Sequence, residues 1–394
     1  MQPREVAPGV YWVGAIDWNI RDFHGYATYQ GTTYNAFLIM DEKITLIDTV
    51  KKEKTDEMLA RISRVVAPSQ IDLVISNHTE MDHSGGLPRL MHRIGESKPI
   101  YCSKMGQRNL TSHFREKLNY QPVENQGRIS IGRRTLTFLE TRMIHWPDSM
   151  VTYCPEDGIL YSSDAFGQHY AGLERFDDEI GEAIMPHALK YYANILLPFS
   201  TLVIKLLGKF REMSLSPRMI CPDHGIIWRK DPALIIGKYA DWAEQKPGRK
   251  VLIVYDTMWH STEKMAEAIA DALDEAHIET KLMHLRSWHR SDVITELTEA
   301  GAVLIGSPTL NNGLFPTVAD FLSYLKGLRP QNKAAAAFGS YGWSGEAVKL
   351  ITQELEAMKL KIINPGVKAF FVPDDSGLEA CRELGRQAAA ALPS

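Results

Sequence analysis

The sequence predicts an α/β protein in two domains, and three features carry that prediction. Apolar runs of strand length recur along the chain and end in short polar turns, the pattern of buried strands whose ends bear loops. A polar joint, Glu244-Gln245-Lys246-Pro247-Gly248-Arg249-Lys250, precedes a fresh strand and places the boundary between a domain of residues 1–247 and one of 248–394. The turns also change character across that joint. Before it they carry His and carboxylates, and after it hydroxyls, Asn, Gly and aromatic rings.

Taken in order, Tyr34 to Met40 and Ile44 to Val50 read as paired strands around Asp41-Glu42-Lys43, and Lys52 to Val65 as a helix. The apolar run Ile71 to Ser76 is a buried strand, followed by a helix from Gly85 to Arg93, a strand Pro99 to Cys102 and a helix Met105 to Phe114. Thr135 to Glu140, the stretch entering Asp164 and the stretch entering His224 are further strands. After the joint, Val251 to Tyr255 is a buried strand that leads into a helix from Glu263 to Asp274, and Ala302 to Gly306 and Ala334 to Phe338 are two more strands.

Composition narrows the function. With 394 residues, 44% hydrophobic and 23% charged, the chain is long enough for two cores. A net charge of -4 gives no basic face for nucleic acid. Met1-Gln2-Pro3-Arg4-Glu5 has no apolar leader, so a cytoplasmic location is expected. Ile195 to Leu207, broken by Pro198 and carrying Lys205, is expected to be a core helix or a buried dimer surface and not a membrane span. Cys102, Cys154, Cys221 and Cys381 form no Cys-x-x-Cys pair, which suits a reducing compartment and excludes a fused rubredoxin domain.

The chemistry concentrates at strand ends. His78, Glu80, Asp82 and His83 follow the strand that ends at Ser76, just where a Gly-Gly turn opens a helix. In extended backbone, alternate positions point the same way, so His78, Glu80 and Asp82 are expected to share a face, with His83 reaching in from the turn. Imidazole and carboxylate together suit iron, manganese or zinc, and the lack of nearby Cys argues against structural zinc or an iron–sulfur cluster. His145, Asp164 and His224 each end an apolar run in the same way. A polar loop capping a helix accounts for one such His–Asp pair, not for the set.

Three loops of the second domain form another group. Thr257, Met258, Trp259, His260, Ser261 and Thr262 lie between a strand and a helix, where hydroxyls and unpaired N–H groups make a phosphate cradle. Ser307, Pro308, Thr309, Leu310, Asn311, Asn312 and Gly313 follow the next strand, and Ser340, Tyr341, Gly342, Trp343, Ser344 and Gly345 the one after. Backbone freedom, polar contacts and an aromatic plane at the carboxyl edge of a doubly wound sheet suit a flat ligand. No Gly-x-Gly-x-x-Gly occurs, so a nicotinamide site is not indicated.

The order His-x-Glu-x-Asp-His, then His145, Asp164 and His224, resembles the metallo-β-lactamase superfamily, with Glu80 standing where most of its hydrolases carry His. A carboxylate there adds charge and oxygen donors, which favours a redox-active iron pair over zinc. In this the sequence is similar to the flavodiiron proteins, and the three later loops resemble those that hold FMN in flavodoxins. The resemblance covers nearly the whole chain. It implies an αββα sandwich followed by a flavodoxin-like sheet, FMN, and two iron ions per chain: His78, Glu80 and His145 on the iron nearer the flavin, Asp82, His83 and His224 on the other, and Asp164 between them. The His matching His83 is displaced by water in some members. His24 and Tyr192 match residues of the substrate pocket, and His260 departs from the small residue frequent at its place.

The reaction so implied is reduction of dioxygen to water, of nitric oxide to nitrous oxide, or both. A separate donor is implied, a rubredoxin or reduced coenzyme F420. So is a head-to-tail homodimer, alone or doubled to a tetramer, in which each FMN faces the partner's irons. Two rival classes are a zinc hydrolase joined to a flavin domain, against which Glu80 speaks, and an electron-transfer module with a structural metal site, against which the full ligand set speaks.

Overall fold

The computed structural model describes residues 2–393. The chain divides into two compact units: residues 1–24, 28–192 and 201–240 form one, and residues 25–27, 193–200 and 241–394 the other.

The first unit is built on two sheets. One is seven-stranded, in the order Arg4–Ala7, Val10–Trp12, Phe37–Ile39, Thr45–Ile47, Leu73–Ser76, Ile100–Cys102, Tyr120–Pro122. Its first four strands pair antiparallel and the rest parallel. The other is five-stranded, running Arg128–Ser130, Thr135–Glu140, Met150–Cys154, Ile159–Ser163, Met219–Pro222, with only the last pair parallel.

Alternation explains why these strands read as continuous apolar runs. Phe37, Ile39, Ile47 and Ile75 face a core shared with Leu136, Phe138, Met150 and Tyr161 of the second sheet. Their neighbours Leu38, Leu46 and Val74 face a second core with Met58, Ile62, Leu87, Leu90 and Met91 of the covering helices. Both faces of the first sheet are therefore buried.

The expected elements are present with shifted ends. Lys52–Lys54 is a 3-10 turn before the helix Thr55–Ile62, and Leu87–Ile94 begins two residues later than expected because Pro88 sits in its first turn. The expected strand from Tyr34 divides, with Thr32–Tyr34 pairing to Ala15–Asp17 and Phe37–Ile39 entering the main sheet. The apolar stretch from Ile195 lies in a longer helical run, Asp177–Glu212, that is long and apolar enough by length and composition to cross a membrane; 44% of its most apolar window is buried. Pro198 coincides with a break there, a 3-10 turn at Leu197–Phe199.

The second unit carries an all-parallel sheet in the order Glu279–His284, Lys250–Tyr255, Ala302–Gly306, Ala334–Tyr341, Lys361–Ile362, with Val367–Phe370 also pairing to Ala334–Tyr341. The helices Ser261–Glu275 and Asp375–Ala391 pack together over its core. The first strand sits inside the sheet and the second at its edge, so the strand order reverses beside Lys250–Tyr255. That is where open α/β sheets bind ligands, at the carboxyl ends.

Candidate metal centre and ligand pocket

The metal-ligating candidates converge at the carboxyl ends of strands in the first unit. His78 and Glu80 leave the strand Leu73–Ser76, Asp164 follows Ile159–Ser163, and His224 follows Met219–Pro222. His145 comes from the loop between Thr135–Glu140 and Met150–Cys154. The expectation that Asp82 extends the same strand face is corrected, because Asp82 and His83 lie in a one-turn helix, Met81–Ser84, which begins right after Glu80. That turn carries Asp82 away from Glu80 into a different cluster.

The result is two adjoining clusters. His78, Glu80, His145 and Asp164 present ligand atoms within reach of one ion, and so do Asp82, His83 and His224. Asp164 belongs to the first, forms an overlapping third group with His83 and Asp223, and faces both sets. Its Oδ2 lies 3.3 Å from His78 Nε2 and 3.1 Å from His145 Nε2, while Oδ1 lies 3.2 Å from His83 Nε2 and 3.6 Å from His224 Nε2. Glu80 Oε2 closes the first set at 3.2 Å from His145, and Asp82 closes the second at 3.4 Å from His83 and 3.2 Å from His224.

The surroundings fix the rings. His78 Nδ1 faces Asp148 at 3.2 Å, and His224 Nδ1 donates to the Thr33 carbonyl at 2.6 Å. Each leaves Nε2 for the centre. Gly225 makes the close approach after His224 possible: its φ is +80° and a Cβ there would overlap Gln168 Oε1.

Burial works against charge on His78, but hydrogen bonds with Asp148 and Glu80 push its pKa up to about 10. Burial likewise opposes charge on Asp164, yet the neighbouring imidazoles hold it well below the usual carboxylate range. Both oxygens of Asp82, both ring nitrogens of His83 and Asp164 Oδ2 are buried without a hydrogen-bond partner. So many converging, unsatisfied donor atoms are costly unless a cation meets them, which is the observation that the set fits two metal ions.

Of the two pocket candidates, His24 places Nε2 3.5 Å from Glu80 Oε1 with its side chain 76% exposed. Tyr192 is fully buried and its ring meets that of Tyr239 edge-on at 5.0 Å. The tyrosine seen touching the centre is its neighbour: Tyr191 donates its hydroxyl to Asp164 Oδ1 at 2.8 Å. Adjacent helical residues point about 100° apart, so one position decides which ring faces inward. Sequence reading missed Tyr191, Asp148 and His169. The His169 ring packs 4.7 Å from that of His224, and its Nδ1 lies 2.8 Å from Thr32 Oγ1. Asp148 stands three residues after His145, where a polar contact to a ligand loop was there to be suspected.

In the second unit the three loops meet at the carboxyl edge of the sheet. A cavity of about 590 Å³ is lined by Met258, Trp259, Ser261, Pro308, Thr309, Leu310, Ser340, Tyr341, Gly342, Trp343, Phe371 and Val372. Of the candidates there, Thr257, His260, Thr262, Ser307, Asn311, Asn312, Gly313, Ser344 and Gly345 do not line it. Thr262 contacts one of the lining residues, its hydroxyl 3.1 Å from that of Ser340. Gly339 lets two strand ends meet, since a Cβ there would overlap the Ser307 carbonyl.

Trp259 is 86% and Trp343 79% exposed, an apolar pair open to a planar ligand. Phe371 and Val372 form a fourth loop that sequence reading did not include, although the apolar run Val367–Phe370 ends there as the other strands do. The Thr257 hydroxyl oxygen is buried with no hydrogen-bond partner, four residues before the helix Ser261–Glu275 begins. A loop of this make suits a phosphate group.

Comparison with known proteins agrees with both halves. Residues 32–225 match the family described as ODP family beta lactamase and residues 253–385 match Flavodoxin. The chain is 47% identical to a nitric oxide reductase of Moorella thermoacetica, with 99% of each chain covered. It is 45% identical to the rubredoxin-oxygen oxidoreductase of Megalodesulfovibrio gigas, over 100% of this chain and 98% of that one. The crystal structure of the flavodiiron protein from Giardia intestinalis superposes with a TM-score of 0.94 at 38% identity, covering 99% of this chain and 98% of that one.

Proposed function

This chain belongs to the flavodiiron family, and from that premise we propose that it reduces dioxygen to water, nitric oxide to nitrous oxide, or both. The observation that carries the reading is Asp164, whose two oxygens each face a separate His–carboxylate set. In our reading His78, Glu80 and His145 would hold one iron and Asp82, His83 and His224 the other, with Asp164, which turns an oxygen to each set, serving both. When bound, the iron pair supplies one electron from each metal to a gas molecule, and FMN in the second unit takes electrons from a donor and passes them on singly.

The chain's own residues do the rest. Asp148 and the Thr33 carbonyl orient His78 and His224 so that each offers Nε2. Tyr191 holds a proton at its hydroxyl against Asp164. His24, largely exposed yet 3.5 Å from Glu80, is placed to exchange protons with solvent at the edge of the centre. Tyr192 is assigned to the same pocket by its match to the family. Trp259 and Trp343 offer apolar planes to the flavin, and the Thr257–Thr262 loop its phosphate cradle.

Electrons are proposed to come from a rubredoxin or from reduced coenzyme F420. The working form is proposed to be a head-to-tail homodimer in the cytoplasm, alone or paired as a tetramer, with the functional boundary at residues 247 and 248. The deciding experiment assays iron and FMN in the purified protein, then follows dioxygen and nitric oxide consumption side by side after chemical reduction. Consumption of either gas that scales with iron content supports the reading. A flavin-free protein carrying zinc and turning over esters overturns it.

A further inference from the structure

The turn that opens the helix Ser261–Glu275 holds a residue that a phosphate cradle does not require. His260 is its N-cap and sits in the left-handed region, φ 64°, which disfavours any side chain with a Cβ. What its side chain does there is specific: Nδ1 lies 2.5 Å from Glu263 Oε2. The other oxygen of Glu263 takes the Tyr255 hydroxyl at 3.3 Å, and the Tyr255 ring stacks on His284, whose Nε2 is 3.2 Å from Asp256. The hydrogen bond from His260 is the largest influence on Glu263 and keeps its carboxyl below the ordinary range.

A carboxylate in the first turn of a helix is favourable by itself, since the N-terminus carries the positive end of the dipole. Beside a bound phosphate the same charge becomes a competitor for that dipole and repels the ligand. Thr257, buried with an unpartnered hydroxyl in the same turn, points independently to a ligand bearing acceptor oxygens.

We propose that His260 engages Glu263 through this contact in favour of that anionic group, so that the pair sets how tightly the phosphate end of FMN is retained. The proposal rests on the FMN reading above. It is tested on the full-length protein stripped of flavin, titrated with FMN and with riboflavin, which lacks the phosphate, by quenching of flavin fluorescence. His260→Gln and His260→Gly are expected to raise the FMN Kd by about three- to tenfold and to leave the riboflavin Kd unchanged. The Gly variant removes the backbone strain together with the imidazole, so a loss in both variants belongs to the ring. In a Glu263→Gln background the effect of removing His260 is expected to vanish. Equal FMN affinity in the native protein and His260→Gln overturns the proposal, as does a loss that persists undiminished with Glu263→Gln. A native protein that binds neither flavin overturns instead the FMN reading on which the proposal rests.

Discussion

Asp148 accepts from His78 Nδ1 at 3.2 Å and from the Thr79 backbone N–H at 2.8 Å, so one carboxylate fixes both the ring and the chain that carries it. It is fully buried and is also contacted by Asn109 at 3.1 Å. Groups in this position behind a metal-bound imidazole typically govern affinity by about 10–100-fold. Asp148→Ala is therefore expected to lower iron affinity by about that factor, measured by competition with a chelator. Asp148→Asn, whose amide oxygen still accepts from His78, is expected to keep most of it. Equal iron retention in all three proteins would show that His78 is held by its backbone alone.

Tyr191 and Tyr192 give a second test, because they are adjacent and their rings face different partners. Removing a hydrogen bond to a charged group costs about 1.5–3 kcal/mol. Tyr191→Phe should therefore loosen Asp164 and alter the spectroscopic signature of the reduced iron pair. Tyr192→Phe is expected to leave that signature in place and to lower turnover through the pocket. Identical iron spectra in the native protein and Tyr191→Phe would remove the tyrosine from the centre.

These two cases mark where sequence reading stops. Ligand types and their place at strand ends were legible, because each ligand closes an apolar run and His, Glu and Asp have few other reasons to gather there. Asp148 was legible only as a polar neighbour of His145 in its own loop, and nothing in a single carboxylate there says that the ring it meets is His78, 70 positions away. The one-turn helix Met81–Ser84 was not legible, being too short to show a period, and it is this turn that sends Glu80 and Asp82 to different clusters. In the second unit the strands were readable as Val-, Ile- and Ala-rich runs. Phe371 and Val372 escaped notice because their loop joins the cavity only through the pairing of Val367–Phe370 with Ala334–Tyr341.

Gly225 tests how the second cluster is built. With φ at +80° and Gln168 Oε1 where a Cβ would lie, Gly225→Ala strains the turn that presents His224. A destabilisation of about 1–3 kcal/mol is expected. Because the strain falls one residue from a ligand, iron content should drop toward one ion per chain before the protein unfolds. Iron assay and thermal denaturation on the same sample check this. Loss of stability with full iron content would mean that the turn yields elsewhere.

Lys333 offers a stability test independent of the metals. It is 2% exposed, and its Nζ donates to the carbonyls of Thr298 at 3.0 Å and Ala300 at 2.6 Å, with no carboxylate bonded to it among the described residues. Burial pushes its pKa down to about 8, with Glu299 pulling weakly the other way. The unfolded chain keeps its proton to about 10.4, so between those values the unfolded state binds more protons than the folded one. Stability from this group accordingly rises with pH across that window, and the full penalty of a buried ammonium is felt below it. Lys333→Met lacks the titrating group and should lack the rise. Urea denaturation at pH 7 and pH 10 is expected to show the native protein gaining on the variant by on the order of 1–3 kcal/mol. Parallel behaviour of the two proteins would mean that the ammonium is solvated in the folded state, which would contradict the burial of its side chain against the Thr298 and Ala300 carbonyls.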